Sequence, residues 1–186
     1  EKKYANAEPF YCSQPWDMNV IYIDGNVMPC GQPVREHTKE FIWENNFEKF
    51  YPILDDNKSR YDAKPTHTLD DLVRLNSLFP DRLKLLLLMK NGEPIGGTLN
   101  FIANKKTIII FYNMMNYDFS EFQPATLQVL ETIRWASNAG FKYLDFGVSQ
   151  DPRAENPLTP QQSLIRFKEE FGSFGLVRKV YQKDYS

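Results

Sequence analysis

The sequence predicts a mixed α/β domain, and three observations carry that prediction. The stretch LKLLLLMKNGEPIGGTLNFIANKKTIIIFYNMMN (83–116) is three apolar runs separated by Asn91-Gly92 and by Asn104-Lys105-Lys106. Asn-Gly between strand-like runs is the strongest short-range hairpin signal a sequence offers, and the second break is another short polar turn. After these three antiparallel strands, a helix-like stretch from Pro124 to Ala139 closes at Gly140, and FKYLDFG (141–147) returns as an apolar strand. Finally, a helix from about Gln161 to Phe171 stops at Gly172, before a strand-like run from Leu176 to Gln182.

Each element has a local reason. Leu83 to Met89 is almost continuously apolar, which fits a strand covered on both faces in the middle of a sheet. Gly96-Gly97 weakens the next strand unless the backbone bends there or lets something approach closely. Thr107 to Phe111 is β-branched and aromatic, a firm third strand, whereas residues 112–116 read as polar and irregular. Upstream, Phe47, Phe50, Tyr51 and Leu54 recur at i, i+3, i+4 and i+7, one face of a helix. Thr68-x-x-Asp71 makes a capping-box start for a second helix, with Leu69, Leu72, Val73 and Leu78 on its apolar side and Pro80 beyond its end. These two helices, joined by the polar loop from Asp55 to Pro65, are expected on one face of the sheet.

Composition narrows the function. A chain of 186 residues is long enough for one domain with its own core, expected over residues 35–186 behind an extension over 1–34. With 22 Lys and Arg against 24 Asp and Glu, no strong field of one sign is available to a phosphate backbone, so nucleic acid is not favoured as a bulk partner. No apolar run approaches the twenty or so residues of a membrane helix, and a soluble, cytoplasmic domain is expected. The chain begins at Glu1 without a Met or a signal-like segment, which reads as a leader removed or a piece of something longer.

The extension holds CSQPWDMNVIYIDGNVMPCG (12–31), read as a strand from Met18 to Ile23, an Asp24-Gly25 turn and a second strand ending at Cys30. Its Cys-x-x-Pro-Trp and Pro-Cys resemble the opening of the auxiliary-cluster domain of some radical SAM enzymes, which implies Fe–S ligation by Cys12 and Cys30. Such a cluster takes four thiolates and the chain has two Cys, so the expectation is no metal, with the pair acting as small hydrophobes or as a bridge.

Three further stretches carry a family resemblance: YLDFGVS (143–149), RFKEEFG (166–172) and KPTHTLDDLVRLNSLFP (64–80). Together with the element order, they resemble the C-terminal part of the FemAB-like and BioF2-like branch of the GNAT acyltransferase superfamily, over roughly residues 35–183. The resemblance implies a mostly antiparallel mixed sheet flanked by helices. It also implies transfer of an acyl or aminoacyl group from an activated donor such as acyl-CoA to an amine acceptor, with no tightly bound cofactor. An aminoacyl-tRNA donor is disfavoured by the charge balance. Fem-like enzymes use two such domains in tandem, so a missing tandem domain or a homodimer is the expected partner arrangement. The rival readings are a non-catalytic GNAT-like binding domain of a larger enzyme and an auxiliary Fe–S fragment.

The same resemblance places the donor along the strand before the first long helix, against Phe111, Tyr112 and Asn113. Its phosphates would rest on the amides of Ala125, Thr126 and Leu127, where unpaired N–H groups and the positive end of the helix dipole gather behind Pro124. NMMNYDFSEFQPATL (113–127) lacks the Gly-rich, Arg- or Gln-led phosphate loop of CoA-binding enzymes, and Asp118 and Glu121 put negative charge there. Asp145, at the end of the signature strand, either orients and deprotonates an attacking amine or braces the loop from Val148 to Pro160, which looks like a semi-rigid lid. Lys168 either meets a donor phosphate or an acceptor carboxylate, or is a solvated helix lysine. His67 is either a general base or simply the residue before a helix cap, and His37 is a weaker candidate. The two His stand thirty residues apart without Cys or paired carboxylates at ligand spacing, so no metal site is expected.

Overall fold

The computed structural model of the chain describes residues 19–21, 27–29, 39–151, 153–156 and 158–176. Cys12, Cys30, the Asp24-Gly25 turn and all but the first residue of the strand expected from Leu176 to Gln182 lie outside the described residues. Two short strands, β1 (Asn19–Ile21) and β2 (Val27–Pro29), pair antiparallel with Ile21 opposite Val27, the arms of the expected N-terminal hairpin.

A five-stranded sheet organises the rest, in the order β3 (Lys39–Trp43), β4 (Leu83–Lys90), β5 (Glu93–Asn104), β6 (Thr107–Met115), β7 (Tyr143–Asp145). Every pairing is antiparallel except that of β6 with β7. This is the mixed, mostly antiparallel sheet that the sequence predicted. Two features differ from expectation. β3 was not foreseen, because a five-residue edge strand leaves little signal. β6 runs on through residues 112–115, which local chemistry marked as irregular; tertiary pairing with Gly96 to Leu99 of β5 overrides their weak β propensity.

Helices cover both faces. α1 (Phe47–Ser59) and α2 (Leu69–Leu78) precede the sheet's central hairpin; α3 (Pro124–Asn138) and α4 (Gln162–Glu169) follow β6 and β7. The capping box on α2 forms: the Thr68 hydroxyl accepts from Asp71 N at 3.1 Å, and the Asp71 carboxylate accepts from Thr68 N at 2.9 Å. Consecutive strand residues point to opposite faces, and Gly96 and Gly97 show what lies on each. A Cβ on Gly97 would stand 2.7 Å from the Phe50 ring of α1, and a Cβ on Gly96 would stand 2.6 Å from Gln128 Oε1 of α3. The glycine pair is therefore where a helix presses on the sheet from each side, α1 from one and α3 from the other.

The main core lies on the α1 side, where Phe47, Phe50, Leu54 and Leu72 pack on Leu83, Leu85, Leu87, Met89, Leu99 and Tyr112. Leu85 to Leu88 are each at most 1% exposed, so β4 is buried on both faces as its unbroken apolar run required. Each such leucine contributes on the order of 1.5–3 kcal/mol by leaving water. The α3 side is different in kind. Thr98, Asn100, Gln128 and Thr132 are all fully buried there, a polar layer inside the fold.

Candidate functional site

The sheet splits between β6 and β7. They run together only at Thr107, Ile108 and Ile109, opposite Tyr143, Leu144 and Asp145, and β6 then continues alone to Met115. Gly147, at φ 68°, turns the chain away, a left-handed conformation in which a side chain would be strained. Asn116 donates its N–H to Ile95 O of β5 at 2.8 Å. By strand alternation, Met115 and Asn113 present their backbone groups to the opposite, open edge. The Asn57 side chain of α1 already takes Met115 from both ends, donating to its carbonyl at 2.6 Å and accepting from its N–H at 3.3 Å.

A β-bulge shapes the floor of this split. Leu99 pairs with Tyr112 but Asn100 with Ile110, which leaves Phe111 as an extra residue. The bulge brings two successive aromatic rings side by side, with Phe111 and Tyr112 centroids 4.6 Å apart. Phe101 lies 4.7 Å from Phe111, and the His67 ring meets Phe111 at 5.5 Å. Phe111 stays 38% exposed while Tyr112 is 3% exposed. His67 Nδ1 and the Tyr112 hydroxyl are both buried without a hydrogen-bond partner among the described residues. An imidazole nitrogen and a phenol hydroxyl are both hydrogen-bonding groups.

The mouth of the split is the start of α3. A 3-10 turn, Tyr117–Phe122, leads to Gln123 in the left-handed conformation, φ 49°, and then to Pro124. Three free amides were expected there. Thr126 N and Leu127 N instead both donate to Gln123 O at 3.1 Å, one closing a tight 3-10 bond and the other the first α-helical bond, which leaves Ala125. Asp118 and Glu121 are exposed on the 3-10 turn. Lys90 Nζ stands 3.7 Å above the Phe122 ring and 5.4 Å from that of Phe119, holding the turn to the end of β4.

Asp145 and Lys168 meet where β7 ends. The Asp145 carboxylate accepts from Gly147 N at 2.7 Å and is exposed. Lys168, on α4, donates to the carbonyls of Gly147 at 3.2 Å and Val148 at 2.7 Å and to Ser149 Oγ at 2.9 Å. Its ammonium thus faces the loop leaving β7 rather than the start of α3. Burial pushes its pKa down, opposed by the attraction of Asp145.

Beyond this point the loop after β7 folds back on itself through Asp151 N to Thr159 O at 2.8 Å, and Arg153 reaches over the Tyr61 ring at 5.8 Å. Arg60 covers Tyr117 at 4.3 Å, and burial, followed by a hydrogen bond with Tyr61, holds the Tyr117 hydroxyl above its ordinary pKa. The α1–α2 loop, the loop after β7 and the 3-10 turn therefore converge through Tyr61 and Tyr117.

Sequence reasoning missed Asn57, Gln128 and the bulge. The first two did leave a trace. Asn57 continues the spacing of Phe47, Phe50 and Leu54, and Gln128 and Thr132 continue that of Pro124 toward Ala136, so each is a polar residue on a buried face. No comparable signal marks the bulge. An open depression of about 440 Å³, lined by Asp81, Arg82, Ile102, Asn104, Lys105 and Phe141, lies at the other end of β6, away from the split. Among the described residues, no group of three or more His, Cys, Asp or Glu could hold a metal ion, and no helix is long and apolar enough to cross a membrane.

Solved structures share this architecture. An aminoglycoside acetyltransferase from an uncultured soil metagenomic sample, in complex with sisomicin, aligns at a TM-score of 0.53 and 14% identity, covering 80% of this chain and 97% of that one. A ribosomal-protein-alanine N-acetyltransferase from Brucella melitensis aligns at 0.52 and 12%, covering 80% and 100%. The aminoglycoside N-acetyltransferase AAC(6')-Iy, in complex with CoA, aligns at 0.50 and 13%, covering 83% and 99%. At these identities the likeness is one of fold. Comparison with curated protein sequences gives no match. The model of the acetyltransferase (GNAT) domain matches residues 40–155, more than half of the chain. The chain belongs to the GNAT acetyltransferase family.

Proposed function

We propose that this domain is an N-acyltransferase of the FemAB-like branch, spanning residues 35–186, which moves an acyl group from an acyl-CoA to an amine. The observation that carries the reading is the parting of β6 from β7 after Ile109, which leaves a strand edge open beside the start of a helix. A donor arm lies along β6 at Phe111, Tyr112 and Asn113, with its phosphates toward Ala125 at the start of α3, the amide left there by the bonds to Gln123 O. The amine nitrogen attacks the thioester carbonyl, a C–N bond forms, the C–S bond breaks, and the amine's proton ends on the departing thiolate. Chemistry of this kind needs a neutral amine held in place and donors aimed at the oxyanion, and positioning supplies most of the rate. His67, beside Phe111, and Asp145, at the end of β7, are the bases we assign to take the proton. The FemAB-like assignment rests on YLDFGVS and RFKEEFG. The amine acceptor agrees with the aminoglycoside and ribosomal-protein alanine named for two structural neighbours.

A specific observation favours a second reading, a non-catalytic domain of a larger enzyme. Two of the three amides at the helix start are already engaged, and Asp118 and Glu121 stand beside them. A thermal-shift screen against acetyl-CoA, longer acyl-CoAs and UDP-sugar precursors separates the two. A ligand at a hundred times its Kd stabilises by about 2.7 kcal/mol. A shift with a CoA thioester supports acyl transfer; no shift with any of them leaves the binding domain.

A further inference from the structure

We infer that Gln128 and Asn113 are positioning residues that hold the two halves of the donor site, the open edge of β6 and the start of α3, at a set distance; the inference rests on the donor reading above. Asn113 sits at the centre. Its Oδ1 accepts from Gln128 Nε2 and, at 3.1 Å, from Thr98 Oγ1, while its Nδ2 donates to the Ala125 carbonyl at 3.2 Å. Gln128 Nε2 donates a second bond to Met114 O at 2.9 Å, and Thr132 Oγ1 donates to Gln128 O at 2.8 Å. One strand side chain and one helix side chain thus tie β5, β6 and the first turn of α3 together. The residues they tie, Asn113 and Ala125, are ones the donor is expected to touch.

The location makes a purely stabilising role a poor explanation. Gln128, Thr98 and Thr132 are fully buried, and a buried amide costs free energy unless its hydrogen bonds are made. Gln128 Oε1 has no partner among the described residues, so that cost is only partly offset. Well-packed apolar side chains would hold helix to sheet without it. What apolar packing does not supply is direction, because hydrogen bonds fix where the strand lies relative to the helix along its axis. The sheet makes room for the device. At Gly96 a Cβ would strike Gln128 Oε1 at 2.6 Å and Pro124 Cβ at 3.2 Å, so glycine there lets the helix start settle onto the strand.

The test compares Gln128→Met and Thr98→Val in the full chain. The first removes both side-chain bonds from helix to strand; the second removes only the bond from β5 and leaves helix and β6 tied. Both lower Tm. Gln128→Met is expected to weaken acetyl-CoA binding by about tenfold in a calorimetric titration, since small misplacements of a site cost this much or more, and to speed hydrogen exchange at the Ala125 to Leu127 amides. Thr98→Val leaves both readouts near wild type. Asn113→Asp, which keeps the acceptor but removes the donor to Ala125 O, covers the case in which Gln128→Met does not fold, and should reproduce the loss. Wild type binding acetyl-CoA with Gln128→Met or Asn113→Asp binding equally well overturns the inference alone. Wild type that does not bind acetyl-CoA overturns the donor reading, and the inference falls with it.

Discussion

Replacing Gly97 by Ala tests the packing on which the sheet depends. The added Cβ would lie 2.7 Å from Phe50 Cδ2, 3.0 Å from Cε2 and 3.1 Å from the Leu86 carbonyl oxygen. None of these can retreat easily: Leu86 O is backbone in β4, paired on both sides, and the Phe50 ring is fully buried among Leu54, Leu72, Leu85 and Leu87. Overpacking of this kind costs about 1–3 kcal/mol. Alanine recovers about 0.4–1 kcal/mol by restricting the unfolded chain. The two ranges subtract to a net loss centred on about 1.3 kcal/mol, or about 3–5 °C in Tm for a chain of this size. Thermal unfolding followed by circular dichroism measures it. Gly175→Ala is the control, since Gly175 has no positive φ and, among the described residues, no atom within 4 Å of the added Cβ, and should stay within about 0.5 kcal/mol of wild type. Shrinking the opposing ring should relieve the clash, so Phe50→Leu combined with Gly97→Ala is expected to show a coupling of at least about 0.5 kcal/mol. A Gly97→Ala protein as stable as wild type, or effects that simply add, would refute the claim that α1 seats directly on this glycine.

Three other outcomes are expected. The Asp71 carboxyl is held below its ordinary pKa of 3.8 by hydrogen bonds from Thr68 N–H and hydroxyl, so its contribution is present above that pH and lost as pH falls through the lower folded value. The stability advantage of wild type over Asp71→Ala, measured by denaturant titration, should therefore vanish in acid. For Lys168 the sign is opposite. Its folded pKa lies below 10.5, so the charged form carries a penalty below the folded value that is relieved as pH climbs toward 10.5, and wild type should gain on Lys168→Met over that range. Glu121→Gln should tighten CoA binding by no more than about 1 kcal/mol, because exposed charges near a helix end are worth little more; weaker binding in a calorimetric titration would count against phosphates at the start of α3.

The sequence alone determined the elements whose signal is local. Asn91-Gly92 set the β4–β5 hairpin because few residue pairs adopt its positive φ angles, and both do, at 52° and 84°. Thr68 and Asp71 set the start of α2 because capping is a contact over three residues. The unbroken Leu85 to Leu88 run marked β4 as an interior strand because only a doubly covered strand hides it, and β4 lies second in the sheet, between β3 and β5. The element order also pointed to the GNAT superfamily, which the domain match over residues 40–155 bears out. Tertiary structure decided what depends on partners distant in sequence. Residues 112–115 became strand only because β5 lies beside them, and the extra residue at Phe111 is defined only by the register against Leu99 and Asn100. Lys168 was legible as a cation on a helix, but its three acceptors stand 19 to 21 residues away along the chain. Asn57 reaches Met115 across 58 residues, and Gln128 reaches Asn113 only once α3 lies on the sheet. A side chain's type is written in the chain, but the atoms it meets are chosen by the packing of helices on strands.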